Sequence, residues 1–364
     1  MKLSILALFF VGASGTQAQA VTHLSQEVRI IDPSQRFLKK LSHQPELVID
    51  HVSPLGYEVY GPSGLQAYLN SQFIPYLASE KQVESVAAEY PSPEATLNSI
   101  QNLAETYPSL ITLIEIGKSV EGRALTFVRV TAPGKMGKHI AERLEFKYVA
   151  NMHGDEIVGR ELMLKLIEDL ASNYGKDQRV TSLLENVQVY IMPSMNPDGA
   201  AHRVRYNANG TDLNRSFPDF TTSDQQNTTS GREPEIQAMM KFQAAHHFKL
   251  SANFHGGAEV VNYPWDTQAK PFPLDNLVKK LSLDYSKKVP YIYNSSQFKE
   301  GITNGYAWYE VDGGMQDWSY HWHHDLQLTI ELTQVKWPAY SSVKDSYFAN
   351  RDALLTLIED IAQF

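Results

Sequence analysis

Apolar and polar positions alternate along this chain with two different periods. Residues 187–192 form a short apolar run broken only by Gln188, and residues 146–150 form another broken only by Lys147; runs of this length read as strands covered on both faces. Residues 159–174 instead place Leu162, Leu166, Ile167 and Leu170 on one stripe, which predicts a helix. Ser92 followed by Pro93 is a helix start, with the helix running to residue 107. Residues 111–116 and 125–130 read as strands around a turn at 120–123, and 250–254 and 328–332 as two more. Helices are expected over 233–247, 274–288 and 342–363, and a long polar loop over 196–219. The paired glycines Gly313 and Gly314 and the aromatic run 318–320 read as a further loop. Strands that alternate with helices predict an α/β sheet covered on both faces.

The first part of the chain reads separately. Residues 47–52 and 57–60 predict two strands, 61–64 a turn, 65–70 a short helix and 73–76 extended chain. Together they predict a small α/β module over residues 21–85, joined by a polar stretch at 79–82 to a larger unit over 86–364. Its histidines, His23, His43 and His51, have no spaced ligand partner and read as ordinary surface or core residues. Residues 1–20 read as a cleaved leader: Lys2, an apolar stretch at 3–11, and Ala18-Gln19-Ala20 as a small-x-small site. The apolar stretch is too short to span a bilayer, which needs about 20 residues. A secreted or periplasmic protein without membrane insertion is therefore expected.

Bulk properties narrow the chemistry. A formal net charge of −9 makes phosphate backbones unsuited as partners, so no nucleic-acid binding is expected. The chain has no cysteine, which removes disulfides, thiolate nucleophiles and Cys-held metal. Any metal must sit on His and carboxylate. A hydrophobic fraction of 43% is enough for one large packed domain with a smaller one beside it.

One stretch concentrates the chemistry. His153 and Glu156 follow the strand at 146–150, where open α/β sheets build their sites. His255 ends the strand at 250–254 and is followed by two glycines, and it completes a His153, Glu156 and His255 set. Two imidazoles and one carboxylate leave one position open on a zinc ion and lower the pKa of bound water toward ~7. The histidine-rich run 321–324 lies within one predicted loop and reads as structural or surface. Glu331, set between Ile330 and Leu332, is a costly buried carboxylate unless it is used, and beside such a water it is a general base. Arg205 suits stabilisation of an oxyanion. Asn214 and Arg215 form an adjacent pair able to grip a carboxylate.

These residues, in this order from about Tyr90 onward, resemble the carboxypeptidase A family of zinc metallocarboxypeptidases. The likeness rests on His153-x-x-Glu156, Arg205, Asp212-Leu213-Asn214-Arg215, His255, Tyr309 ahead of Gly313-Gly314, and Glu331. The wording of these motifs, with Asn262-Tyr263-Pro264 and Gly313-Gly314-Met315-Gln316-Asp317-Trp318, is most similar to the regulatory (N/E) branch. The resemblance implies a three-layer α/β/α domain around a mixed, largely eight-stranded sheet. It implies one Zn²⁺ held by His153, Glu156 and His255, with Asp212 orienting His153. It also implies that Glu331 activates the zinc-bound water and Arg205 stabilises the oxyanion. Asn214, Arg215 and Tyr309 then bind the terminal carboxylate of a peptide or protein C-terminus.

Specificity follows the same resemblance. An Asp eleven residues after the third ligand selects Lys or Arg in the regulatory branch, and Asp266 stands there, with Gln316 at the neighbouring pocket position. A buried Asp left unpaired by an apolar side chain disfavours that side chain. The chain departs from the branch in two ways. No β-sandwich is expected after the catalytic domain, and the module at 21–85 has no counterpart; it is either a pro-segment that blocks the cleft, with Lys81 as one processing point, or a permanent accessory. Two other readings stay open: the same chemistry on cell-wall peptides, and an inactive peptide-binding relative. Nothing in the sequence fixes the oligomeric state.

Overall fold

The computed structural model describes residues 26–44, 46–78, 90–134 and 139–364. The leader, the polar stretch at 79–82, Lys81 and the expected boundary at residue 85 lie outside the described residues.

The larger unit is built on an eight-stranded sheet. Its strands are β5 (Ile111–Lys118), β6 (Ala124–Val130), β7 (Leu144–Ala150), β8 (Val187–Met192), β9 (Leu250–His255), β10 (Ala258–Tyr263), β11 (Ile302–Asn304) and β12 (Leu326–Thr333). Their order across the sheet is β11-β10-β12-β9-β7-β8-β6-β5. The centre, β12-β9-β7-β8, is parallel, while β5, β6 and the β10–β12 pairing are antiparallel. All six residues of β8 are buried, as a strand covered on both faces requires.

Helices cover both faces. On one side α3 (Pro93–Thr106), α4 (Val158–Asn173), α5 (Gln178–Asn186), α8 (Asp275–Ser286) and α12 (Val343–Glu359) close the main core, with Leu162, Leu166, Ile167 and Leu170 all buried in it. On the other side, α7 (Pro234–Ala244) and α11 (Met315–His323) pack Ile236, Met239, Phe242 and Trp318 against Phe127 and Tyr190. The three-layer α/β/α arrangement around a mixed sheet is the expected fold. Short helices α6 (Pro197–His202), α9 (Pro290–Tyr293) and α10 (Gly305–Trp308) complete the unit.

The expected helix start at Ser92 is present: its hydroxyl accepts from the Ala95 amide at 3.2 Å. Two expectations fail. The aromatic run 318–320 is helical, because α11 begins straight after Gly314 and drives Trp318 into the core, where only the residues before it form a loop. The histidine-rich run therefore lies on that helix and its C-cap, and His321 stacks on Phe220 at 4.0 Å between ring centres. The polar segment 196–219 is not loop throughout, since it contains α6, capped by the Asn196 side chain on the Gly199 amide.

The smaller module holds β1 (Gln26–Ile31), α1 (Leu38–Ser42), β2 (Val48–Ser53), β3 (Gly56–Gly61), α2 (Leu65–Ser71) and β4 (Leu77–Ala78). Its sheet is antiparallel in the order β2-β3-β1-β4. Phe73 closes a turn at φ 57°, and residues 74–76 lead from it without regular structure into β4. The core is small: Val28, Ile30, Leu41, Ile49, Val52, Val59, Leu65 and Leu69, with Trp308 and Tyr309 of the larger unit packed against it. A module this short buries little surface by itself, so that packing contributes to its order.

Candidate metal centre and cleft

The carboxyl ends of β7, β9 and β12 meet at one point of the sheet, and three of the expected residues stand there. After β7 the chain turns sharply through Asn151, held at φ 55°, whose side-chain amide donates to the carbonyls of His153, Gly154 and Glu156 at 2.9, 3.2 and 3.3 Å. Gly154 is packed so closely that a Cβ there would lie 2.0 Å from the Gly199 carbonyl carbon. Only glycine allows this turn and α6 to approach each other. His153 and Glu156 are thereby aimed at His255, the last residue of β9.

The three side chains converge. His255 Nδ1 lies 3.0 Å from His153 Nδ1 and 2.8 Å from Glu156 Oε2, and His153 Nδ1 lies 3.0 Å from Glu156 Oε1. All three are buried. Two imidazole nitrogens and a carboxylate turned toward one another at these separations match the edges of a tetrahedral zinc site, about 3.3 Å for bonds near 2.0 Å. Asp212 Oδ1 sits 3.1 Å from His153 Nε2, which leaves Nδ1 for the metal and fixes the ring, as outer partners of metal-bound histidines do. The residues present fit zinc. Burial opposes the charge on Glu156, but His153 and His255 outweigh it and hold the carboxyl well below its ordinary range.

Glu331 stands beside this set. In the register of the sheet it pairs with His255 on β9 and with Val260 on β10. It is buried and its Oε2 has no hydrogen-bond partner. Burial raises its pKa to about 8, with His51 opposing and the carboxylates of Glu156 and Asp50 adding to the rise. A buried carboxyl with a free oxygen and a raised pKa beside such a set is a candidate for proton transfer. Arg205 is equally buried. Its Nε donates to Asp212 at 2.8 Å, and its Nη2 has no partner.

Farther along the cleft, Arg215 and Tyr309 both approach Asp50, at 4.0 and 2.8 Å. Asn214 is turned differently: its Oδ1 accepts from the Met315 amide at 3.0 Å and braces the start of α11. Asp266 lies in a separate buried recess, where Asn262 Nδ2 and Gln316 Nε2 each donate to its Oδ1 at 3.0 Å. Burial pushes its carboxyl up to about 7, against the Asn262 hydrogen bond and the Arg215 charge. Three buried acceptors around it, Gln316 Oε1, Asn262 Oδ1 and Asp317 Oδ1, have no partner. Asp317 Oδ2 takes the amides of Asp266 and Thr267 at 2.8 and 3.0 Å. A Cβ on Gly305 would meet Asp266 Oδ1 at 1.6 Å, so glycine keeps the recess open on that side.

The smaller module supplies what the sequence reading missed. Asp50 on β2 is buried and accepts from Arg205 Nη1, and from the Tyr309 hydroxyl at 2.8 Å. Arg215 Nη2 donates to the Ile49 carbonyl at 3.1 Å. His51 is not an ordinary histidine. It is buried with Nδ1 3.1 Å from both Asp50 and Glu58, and its ring lies against Gly257, where a Cβ would come within 2.3 Å of it. Lys336, after β12, donates to Glu58 at 2.8 Å and to Tyr60 at 2.7 Å. The available signal was Asp50-His51 between Val48-Ile49 and Val52: a charged pair inside an apolar strand, the same anomaly that marked Glu331.

The zinc carboxypeptidase family model matches residues 96–353. Human carboxypeptidase D is 38% identical over 288 residues, covering 72% of this chain and 20% of its own length. Carboxypeptidase SOL1 of Arabidopsis thaliana is 37% identical over 323 residues, covering 86% of this chain and 63% of its own length. The chain thus spans about a fifth of carboxypeptidase D and less than two thirds of SOL1. Among solved structures, carboxypeptidase A of Helicoverpa armigera superposes with a TM-score of 0.72 at 18% identity, covering 93% of this chain and 97% of its own, which is a likeness of fold.

Proposed function

The chain belongs to the zinc carboxypeptidase family, with relatives in its regulatory branch, and from that premise we propose that it removes single residues from peptide C-termini, preferring Lys and Arg. The observation that supports this most is that a carboxylate already sits where the substrate's would. Asp50 is held by Arg205 and Tyr309, with Arg215 4.0 Å away, directly beside the metal set.

The residues divide the work. Zinc held by His153, Glu156 and His255 would act as a Lewis acid on the scissile carbonyl and on water. Arg215 and Tyr309 bind the terminal carboxylate, which places the last peptide bond against the metal set. Arg205, its Nη2 unpartnered, donates to the carbonyl oxygen as negative charge builds on it. Glu331 takes a proton from the attacking water through its free oxygen and returns it to the leaving amine. A C–O bond forms, the C–N bond breaks, and the proton leaves on the amine. Asp266, with the unpartnered oxygens of Gln316 and Asn262, receives a cationic side chain and leaves an apolar one facing unpaired acceptors.

The test compares release of C-terminal Arg, Lys and Phe from matched blocked dipeptides, with and without a zinc chelator. Chelator-sensitive release of Arg and Lys supports the whole reading. Release of Phe in their place keeps the chemistry and overturns the role of Asp266.

Export is part of the same proposal. It rests on the pattern of residues 1–20, and among the described residues no helix is long and apolar enough to cross a membrane. Recovery of the whole chain, uncleaved, from the cytoplasm would refute it.

A further inference from the structure

We propose that the buried ion pair of Lys147 and Asp325 is a positioning device for the side-chain recess: a one-way relay of hydrogen bonds fixes which end of the Asn253 amide faces the recess, and makes that floor an acceptor for a substrate cation. This rests on the function proposed above. Beside the apolar cluster that α7 and α11 close, the same face of the central strands carries a polar strip. Lys147, Ser251 and Gln327 form one row across β7, β9 and β12. The next row on that face is Asn253, Thr329 and Asn262 across β9, β12 and β10, and the one after it holds His255 and Glu331. Asn253 thus lies in the row that brings Asn262 to Asp266, one step below the metal set. Lys147, Ser251, Asn253, Asp325 and Gln327 are all buried. Polar groups in such a place are tolerable only when paired.

The pairing has a direction, set at its lower end. The Asp325 carboxylate can only accept, and its Oδ2 takes Lys147 Nζ at 3.1 Å, Gln243 Nε2 at 3.1 Å and Ser251 Oγ at 2.9 Å. Ser251 has one hydroxyl proton. With that proton given to Asp325, its oxygen accepts from Gln327 Nε2 at 3.1 Å. Gln327 Oε1 is thereby turned toward Asn253, whose Nδ2 donates to it at 2.8 Å and to the Leu328 carbonyl at 3.4 Å. The nitrogen of the Asn253 amide is engaged with the interior, and its Oδ1 is buried without a partner. The recess beside it holds the similarly orphaned Asn262 Oδ1 and Gln316 Oε1. An uncharged amide in place of Asp325 can donate to Ser251 and run the relay backward. The Asn253 NH2 would then face the recess, and a donor there repels a cation. Charge at Asp325 becomes polarity at the recess through Ser251, Gln327 and Asn253.

The experiment compares the zinc-loaded wild type with Asp325→Asn, Asn253→Ala and the double variant. Calorimetry measures binding of L-arginine and of L-norleucine, one product with a cation and one without, and kcat and KM are measured on matched peptides ending in each. Asp325→Asn is expected to weaken arginine binding and raise KM for C-terminal Arg about tenfold, with norleucine binding, kcat and zinc content unchanged. Asn253→Ala, which removes the oxygen itself, is expected to lose as much, and adding Asp325→Asn to it to lose nothing further. A charge felt directly, or a merely structural pair, would weaken binding again in the double variant. Should Asp325→Asn not fold, Gln327→Met cuts the relay without removing a charge and is expected to shift the arginine-to-norleucine ratio the same way. A ratio unchanged by these variants, or an Asp325→Asn effect that persists beside Asn253→Ala, would overturn the proposal. Binding needs no turnover, so a wild type that prefers arginine yet cleaves no peptide would count against the proposed function alone.

Discussion

Glu331 and Asp266 are two buried carboxyls in different surroundings, and the tasks proposed for them differ accordingly. Glu331 has a free oxygen and faces the metal set; Asp266 has two amide donors and a ring of unpaired acceptors. Glu331→Gln keeps the shape but cannot accept a proton, so kcat is expected to fall by about 10²–10⁴ with zinc content unchanged by elemental analysis. Asp266 predicts a pH effect. Its folded pKa, about 7, lies above the ordinary 3.8. The folded chain therefore holds a proton that the unfolded chain releases, and stability present below pH 3.8 is lost as pH rises to about 7. Asp266→Asn escapes this loss. In thermal melts its advantage over the wild type is expected to widen between pH 4 and 7, then level off. Kinetics give the complement: kcat/KM for Arg relative to a neutral residue is expected to climb through pH 7 in the wild type and stay flat in Asp266→Asn. At this scale the sequence was most legible where a polar residue interrupts an apolar run, as Glu331 does. It was least legible where a role depends on a partner far along the chain. Asn214 matched its motif, but whether its side chain faces a ligand or braces the Met315 amide is decided by the placement of α11.

Elements followed local signals closely when packing agreed with them. The strand expected at 187–192 is β8 to the residue, and the helix start at Ser92 is in place. The failures share a cause. The stretch 258–263 carries no strand expectation, yet it pairs with β11 and β12 as β10, because partners on both sides reward strand pairing that composition alone does not announce. The aromatic run on α11 reads as loop for the same reason in reverse: Trp318 is buried against Phe217 at 4.8 Å between ring centres, and that contact lies a hundred residues away in sequence. The β7–α4 connection carries the element-scale prediction. Gly154→Ala must push its turn off α6, since the new Cβ would meet the Gly199 backbone. Overpacking of this kind costs about 1–3 kcal/mol, and here it moves His153 and Glu156 relative to His255. Zinc affinity, measured by competition with a coloured chelator, is expected to fall along with the melting temperature. A variant that melts lower but binds zinc as before would show that the turn is not what positions the ligands.

At the scale of the whole molecule, the two units are joined through charge and not only through apolar packing. Asp50, Glu58 and Tyr60 meet Arg205, Lys336 and Tyr309 across the cleft. The sequence made the module visible and left its purpose open between a blocking segment and a permanent accessory, because nothing in a strand such as 47–52 says which surface it will face. The proposed exopeptidase would read a free carboxylate and a cationic side chain beside a zinc-fitting triad. The most direct measurement is a mass spectrum of peptides with varied C-termini after incubation with the zinc-loaded chain, with and without chelator. Peptides ending in Lys or Arg are expected to lose that one residue, and chelator is expected to stop the loss. Peptides left intact although zinc is bound, or cut at internal bonds, would contradict the account.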